Sequence, residues 1–280
     1  MASSTAAARP ARARAAVLGS PIAHSRSPQL HLAAYRALGL TGWTYQRIEC
    51  GADELPALVD GFGPEWVGVS VTMPGKFAAL AFADERTARA ELVGSANTLV
   101  RRRTGWFADN TDVDGVAGAL RAAGSAEVRR AVVLGSGGTA PAAVVALREL
   151  GAEDITVVAR NPAKADRLVG LAAHIGASAR FCALDEPALP DLIGAAEVLV
   201  STVPAEVASR HAARLAEAPV LLDAIYDPWP TPLATAVRAA GGRVIGGLQM
   251  LLHQAYTQVE LFTGLPAPRA AMTCALDQSV

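Results

Sequence analysis

Residues 131–141 read Ala-Val-Val-Leu-Gly-Ser-Gly-Gly-Thr-Ala-Pro. The apolar run Ala131–Leu134 is strand-sized, and the glycines after it mark a tight turn. Pro141–Leu150 then repeats its apolar residues at helical spacing until Gly151, a residue type that commonly closes a helix. A strand, a glycine turn and a helix in that order match the dinucleotide fingerprint Gly135-x-Gly137-x-x-Ala140, whose third slot admits alanine. Gly135 would make the turn. Gly137, with Ser136, Gly138 and Thr139 around it, would let backbone N–H groups approach a pyrophosphate at the helix N-terminus. Taken alone, a glycine triplet also fits an ordinary strand-to-helix turn.

Downstream the same rhythm continues. Ile155–Val158, Ala179–Cys182, Val198–Thr202, Val220–Asp223 and Arg243–Ile245 read as strands. Pro162–His174, a segment around Val207–Leu215 and Pro232–Ala240 read as helices between them. Continuous apolar strands alternating with amphipathic helices predict a parallel sheet covered on both faces. With Ala131–Leu134 the count is six, which fits a doubly wound (Rossmann) dinucleotide-binding domain. The second strand runs into Ala159-Arg160-Asn161, with no acid to take ribose hydroxyls. Arg160, supported by Lys164, instead offers a cation suited to a 2′-phosphate, which favours NADP over NAD. Without a ligand, Arg160 would be a solvent-facing strand-end arginine.

Upstream, Ala16–Leu18, Thr44–Ile48, Val67–Val71 and Thr98–Val100 read as strands. Ser27–Leu38 reads as a helix with Ser27 as N-cap and Pro28 as its first residue. Leu248–Phe262 carries Leu248, Leu251, Leu252, Ala255, Val259 and Phe262 on one stripe. It follows the sixth strand, so it is surplus to the nucleotide domain and is expected to pack on the N-terminal one. The expected organisation is therefore a discontinuous domain of residues 16–112 with 248–280, a nucleotide domain of 113–247, and an Ala- and Arg-rich tail of 1–15.

Composition limits the function classes. Hydrophobic residues make up 51% and charged residues 18% of 280, which excludes an intrinsically disordered chain. Lys+Arg 25 against Asp+Glu 26 leaves a formal net charge of −1, with no basic field to attract nucleic acid. No apolar run reaches the length of a membrane span. Three cysteines (Cys50, Cys182, Cys274) at unrelated spacings read as reduced thiols of a cytoplasmic protein. The five histidines show no metal-ligand spacing, so no metal is expected. A small-molecule substrate is the expected partner, and a homodimer is compatible with this reading.

Four further clusters carry polar chemistry: Gly19-Ser-Pro-Ile-Ala-His-Ser25-Arg-Ser27-Pro28, Val69-Ser70-Val-Thr72-Met-Pro-Gly-Lys76, Gly94-Ser-Ala-Asn97-Thr98 and Asn110-Thr111-Asp112-Val-Asp-Gly115. With Gly247-Leu-Gln-Met250-Leu-Leu-His-Gln254 they resemble the shikimate dehydrogenase family from about Val17 to Met272. The resemblance implies an N-terminal α/β substrate domain beside the NADP domain, with the active site in the interdomain cleft. It implies NADP-dependent reduction of 3-dehydroshikimate to shikimate, with Lys76 and Asp112 as the catalytic pair. A lysine ammonium can give a proton to the new alkoxide, and a carboxylate can orient it and bind a substrate hydroxyl. From the residues alone, a surface lysine and a loop aspartate would be the plainer reading. The resemblance assigns the substrate carboxylate to Ser25 and Ser27, and its hydroxyls to Thr72, Asn97, Asp112 and Gln254, with Tyr226 also at the substrate. Ala224, Gly247 and Met250 join the cofactor set.

The chain departs from the family pattern at several positions. Ser70 stands where asparagine is frequent, and Gly75 precedes Lys76 where a larger residue is common, which predicts a looser loop. Ala159 and Asn161 replace residues that contact the 2′-phosphate elsewhere, so NADP preference rests on Arg160 and Lys164. Ser27 can serve as N-cap, carboxylate ligand or both. Two rivals stand beside the enzyme: a quinate/shikimate dehydrogenase of broader specificity, and a non-catalytic binding module that senses shikimate-like metabolites. An NADP-binding scaffold would leave the polar cluster unexplained.

Overall fold

Ala13 and Ala15 are buried in a strand, although their Ala- and Arg-rich surroundings place them in the expected tail. The computed structural model describes residues 11–277, so the rest of the expected tail, residues 1–10, lies outside the described residues. Arg14, between the two alanines, sets its guanidinium 5.1 Å from the Trp66 ring and 3.7 Å from Glu65. Alternation of small apolar and outward polar residues makes this segment a strand whatever its composition.

The chain divides into two compact units. The first holds the described residues up to Thr87, then Ala96–Asp109, and resumes at Tyr256. Its strands are β1 (Ala13–Gly19), β2 (Trp43–Glu49), β3 (Trp66–Val71), β4 (Glu85–Arg86), β5 (Thr98–Arg102) and β6 (Gly105–Asp109), ordered β2-β1-β3-β5-β6-β4. β1 runs parallel to β2 and β3, whereas β3, β5 and β6 are successively antiparallel. Helices α1 (Ser27–Ala37), α2 (Leu55–Asp60) and α3 (Lys76–Phe82) belong to this unit. Along β1, Ala16 and Leu18 enter a core with Leu55, Val69, Leu99 and Trp106. Ala15 and Val17 enter the opposite core with Tyr35, Trp43, Tyr45 and Phe262. Burial on both faces explains why β1 reads as an apolar run from Ala15 to Leu18.

The second unit holds Ala88–Ser95 and Asn110–Ala255. It includes α4 (Ala88–Val93), α5 (Asp112–Ala122), β7 (Arg130–Leu134), α6 (Ala140–Glu149), β8 (Asp154–Ala159), α7 (Pro162–His174), β9 (Ser178–Ala183), α8 (Leu189–Ala195) and β10 (Val198–Ser201). It continues through α9 (Ala205–Ser209), α10 (Ala212–Leu215), β11 (Val220–Asp223), α11 (Pro232–Ala239) and β12 (Arg243–Gly246). Its six strands are all parallel, in the order β12-β11-β10-β7-β8-β9. The chain starts in the middle, winds one way through β8 and β9, then the other way through β10 to β12. That is the doubly wound topology, with its switch point between β7 and β10. Val132 and Leu134 face one core, and Ala131 and Val133 the other.

Several boundaries differ from the sequence reading; residues 110–112, expected at the end of the first domain, belong to the second unit. The segment around Val207–Leu215 is two short helices, because His211 leaves the helical region at φ −119°, ψ 7°. The division of units falls inside α12 (Gly247–Thr263), between Ala255 and Tyr256, rather than before it. Met250 belongs to the core of the second unit, while Phe262 belongs to that of the first. Residues 88–95, assigned to the substrate domain by position, group with the second unit through Val93 in its core. The last helix, α13 (Arg269–Asp277), packs on α1.

Candidate active site

In the second unit, Gly135 follows β7 with φ +112°, and a Cβ there would lie 2.6 Å from Thr202 Oγ1. Only glycine fits that corner. By contrast, a Cβ on Gly137 or Gly138 would project into open space. No side chain caps α6 at Thr139; Pro141 has no N–H, and the Ala140 N–H donates to the Gly137 carbonyl at 3.2 Å, so main chain alone closes this helix start. β8 pairs with β7 through Val158 and Leu134, which puts the exposed Arg160 beside the glycine corner. Lys164, also exposed, lies one turn into α7, where Asn161 Oδ1 accepts its N–H at 3.2 Å. Asn161 is thus a helix cap, and Ala159 is buried. An open glycine loop, a helix N-terminus with no side-chain cap and two exposed cations fit a phosphorylated dinucleotide.

Ala224 and Gly247 meet closely, since a Cβ on Gly247 would stand 2.3 Å from the Ala224 carbonyl oxygen. Tyr226 is half-buried in the turn after β11. That turn is held by Asp223, which accepts from Thr231 Oγ1 at 2.6 Å and from Ile225 N–H at 3.2 Å. Burial pushes the Asp223 carboxyl up, opposed by those hydrogen bonds. Asp223 escapes the sequence reading, although an acid closing a strand ahead of Thr231-Pro232 is a usable signal. Asp112 is the first residue of α5, buried, and its N–H donates to Asn110 Oδ1 at 3.2 Å. Gln254 accepts from Thr111 Oγ1 at 3.3 Å, placing it next to Asp112. Gly115 permits that approach, as a Cβ there would meet the Met250 carbonyl oxygen at 2.7 Å and Gln254 Cβ at 3.1 Å.

In the first unit the predicted residues gather at one sheet edge, the carboxyl ends of β1 and β3. Thr72 donates its N–H to the Leu18 carbonyl at 2.8 Å, and Ser20 donates its own to Met73 at 3.0 Å. Gly19 leaves no room for a Cβ beside Thr72 Cγ2. Lys76 opens α3, half-buried, and its carbonyl accepts from Ala96 N–H at 3.0 Å, next to Asn97. Gly75 is tightly packed, contrary to the looser loop expected of it: a Cβ would come within 2.9 Å of Leu55 and 3.0 Å of Val71.

Ser27 is not an N-cap. α1 begins at Ser27, Arg26 holds the capping position, and no side chain caps the helix there. Ser25 Oγ accepts from Ser27 N–H at 3.4 Å instead. Tyr45 starts a buried polar chain. Tyr45 Oη donates to Ser70 Oγ at 2.6 Å, and Ser70 donates to Gln258 Oε1 at 2.7 Å. Gln258 Nε2 donates to Thr98 Oγ1 at 2.9 Å, and Thr98 donates to Asn97 Oδ1 at 2.8 Å. His31 Nε2 also meets Gln258 Oε1 at 3.3 Å, and its ring stacks on Tyr45 at 4.0 Å. Burial drives the His31 pKa down to about 3, against the raising effect of the Gln258 bond. Ser70, where asparagine is frequent, therefore spends its hydroxyl inside the protein. Gln258 is the principal residue missed in the sequence. Its signal was a second glutamine one turn after Gln254 on an otherwise apolar stripe.

A doubly wound sheet with a glycine corner and cationic strand edge, joined to a second α/β unit with a polar edge, defines a dinucleotide-binding α/β protein with a polar small-ligand unit. Family models described as the shikimate dehydrogenase substrate binding domain, the shikimate/quinate 5-dehydrogenase and the shikimate 5′-dehydrogenase C-terminal domain match residues 17–99, 118–221 and 247–276. The chain belongs to the shikimate dehydrogenase family. It is 34% identical to the NADP(+) shikimate dehydrogenase of Microcystis aeruginosa, over 93% of this chain and 94% of that one. It is 74% identical to the crystal structure of Mycobacterium tuberculosis shikimate dehydrogenase, with a TM-score of 0.92 over 95% and 99% of the two chains. The Thermus thermophilus shikimate 5-dehydrogenase, solved with NADP(H) and shikimate, is 31% identical with a TM-score of 0.80, covering 96% of this chain and 100% of that one.

Proposed function

We propose that this chain catalyses the reversible NADP-dependent reduction of 3-dehydroshikimate to shikimate, a step of aromatic amino-acid biosynthesis. The observation that carries the reading is the cationic edge of β8: Arg160 and Lys164 stand exposed beside an open glycine corner where an acid would serve NAD. Bound NADPH would supply the hydride. Lys76 gives its Nζ proton to the carbonyl oxygen as the hydride reaches the carbon, and in the reverse direction accepts it from the alcohol. Asp112 orients that amine and hydrogen-bonds a substrate hydroxyl. Ser25 and Ser27 bind the substrate carboxylate beside the positive end of α1. Thr72, Asn97, Gln254 and Tyr226 complete the substrate set. Gly135 to Thr139, Arg160, Lys164, Ala224, Gly247 and Met250 hold the cofactor.

No helix among the described residues is long and apolar enough to cross a membrane. A cytoplasmic location and a homodimer belong to the same reading. The test incubates the purified protein with shikimate or quinate and with NADP⁺ or NAD⁺, following nicotinamide absorbance. Turnover is expected with shikimate and NADP⁺. Comparable turnover of quinate would make it the broader dehydrogenase, and binding without turnover would make it a sensor.

A further inference from the structure

Two charged side chains of β2 grip the loop that leads from β1 to α1. Arg47 and Glu49 are two residues apart in β2, so they project from the same face of the strand. Glu49 holds the start of the loop with both carboxylate oxygens: Oε1 accepts from Ser20 Oγ at 2.7 Å, and Oε2 accepts from Ile22 N–H at 3.2 Å. Arg47 holds its end, where Nε donates to the Ser25 carbonyl at 2.8 Å. Between these points the Ser25 N–H donates to the Ile22 carbonyl at 3.0 Å, closing a four-residue turn. Ile22 is buried in the core with Tyr35 and Tyr45, so the middle of the loop is anchored from within. The Ser25 main chain is thus bonded at both its N–H and its carbonyl, and its Oγ accepts from Ser27 N–H at 3.4 Å. Arg47 and Glu49 are exposed on an edge strand, where charge serves to prevent pairing with another chain. That purpose requires no directed bond to a loop, and these two side chains make three.

We infer that Arg47 and Glu49 are positioning residues, which set the place of Ser25 and Ser27 for the substrate carboxylate; this rests on the reading of those serines as carboxylate ligands. Two short hydroxyls recognise a carboxylate only when they are held at the right spacing, and a surface loop keeps that spacing only if it is tied down. The charges of β2 are not themselves the recognising element. They are opposite in sign, and the Glu49 carboxylate, which would repel an anion, is engaged with Ser20 and Ile22. The loop is also linked to the turn before Lys76, through the Ser20 N–H and the Met73 carbonyl at 3.0 Å. That bond involves no side chain and is kept when Arg47 or Glu49 is replaced. The effect of replacing them therefore falls on the binding of the substrate and not on proton transfer.

The test uses the full chain and compares shikimate with its methyl ester, in which the carboxylate is blocked and neutral. Glu49→Ala and Arg47→Ala should each raise KM for shikimate about fivefold, the loss of charge-assisted bonds at an exposed place. kcat and KM for NADP⁺ should stay within about twofold. The ester should be affected far less, so the preference for shikimate over the ester should narrow by about the same fivefold. Glu49→Gln can keep both contacts, since its carbonyl accepts from Ile22 N–H and its NH₂ donates to Ser20 Oγ, and it should behave as the wild type. Wild-type KM and ester preference in either alanine variant, or a Glu49→Gln that behaves as Glu49→Ala, would overturn the inference. Equal losses for shikimate and ester with a lowered thermal midpoint would show a purely structural role and overturn it too. If an alanine variant does not fold, Ser20→Ala removes the Oε1 contact alone, and an unchanged ester preference there would overturn it equally. Ser25→Ala keeps two failures apart. If it leaves the ester preference intact, the reading of the serines fails; if it abolishes the preference and the β2 variants do not narrow it, only the role of Arg47 and Glu49 fails. Absence of turnover in the wild-type protein would instead strike the proposed function, and affinities for shikimate and its ester by calorimetry would then carry the same comparison.

Discussion

Ser70 and Thr98 stand opposite each other in the antiparallel pairing of β3 with β5, and both hydroxyls bond to the single amide of Gln258. One helix side chain thus ties two strands at the edge where Thr72, Lys76 and Asn97 gather. The bonds run in one direction, from Tyr45 through Ser70 to Gln258, then from Gln258 through Thr98 to Asn97. Buried hydrogen bonds from which water is excluded stiffen this edge, and stiffness is what a small polyhydroxylated ligand requires.

Lys76→Ala should lower kcat by roughly two to four orders of magnitude, the range for loss of a positioned proton donor. Shikimate affinity, read by calorimetry, should change less than about threefold, because the loss falls in the transition state. A variant with near-normal kcat would remove Lys76 from the chemistry.

Arg160→Ala deletes a guanidinium that stands exposed at the end of β8. KM for NADP⁺ should rise at least about tenfold, since a charge-assisted bond to a phosphate is worth roughly 1.5–3 kcal/mol. KM for NAD⁺ should barely move. Equal effects on both cofactors would mean that Arg160 serves the loop and not the 2′-phosphate.

Ser27→Ala separates recognition from folding. α1 has no side-chain cap to lose, so the thermal midpoint should fall by only a few degrees, the response to about 1 kcal/mol or less. KM for shikimate should rise about tenfold if the hydroxyl holds the carboxylate. Lost stability with an unchanged KM would show that the role of Ser27 is structural.

His31 makes the first unit sensitive to acid. Its folded pKa lies near 3 against an ordinary value of 6.5, chiefly through desolvation. Between those values the unfolded chain binds a proton that the folded chain refuses. Stability is therefore lost as pH falls below 6.5, and this group has no effect well above it. The loss should approach about 1 kcal/mol between pH 7 and 5.5. Urea unfolding followed by the fluorescence of Trp43, Trp66 and Trp106, which lie in this unit, should show that slope. His31→Phe keeps a ring against Tyr45 and should flatten it; an unchanged slope would assign the effect elsewhere.

Local rules made much of the second unit legible. Gly135 must turn at positive φ, Pro162 starts α7, and the apolar runs of β7, β8, β10 and β11 are continuous because both faces are covered. The same rules misread Ala13–Ala15, where small residues and arginine resemble a tail but alternate as a strand. They also placed Ser27 as a cap by its type, one residue inside the helix that forms.

By itself the amino-acid order determined the glycine corner, the cation in place of an acid at Arg160, and the residue clusters that mark the family, because each is encoded within a few neighbouring positions. Only the tertiary structure decided what Ser70, Thr98 and Gln258 do. Gln258 lies 188 residues from Ser70 and 160 from Thr98. Their meeting depends on which strands pair and on where α12 crosses them, and no local propensity carries that information. The bonds that Gln258 makes to both strands follow from that meeting, since a hydrogen bond has a direction only when both of its partners are in place.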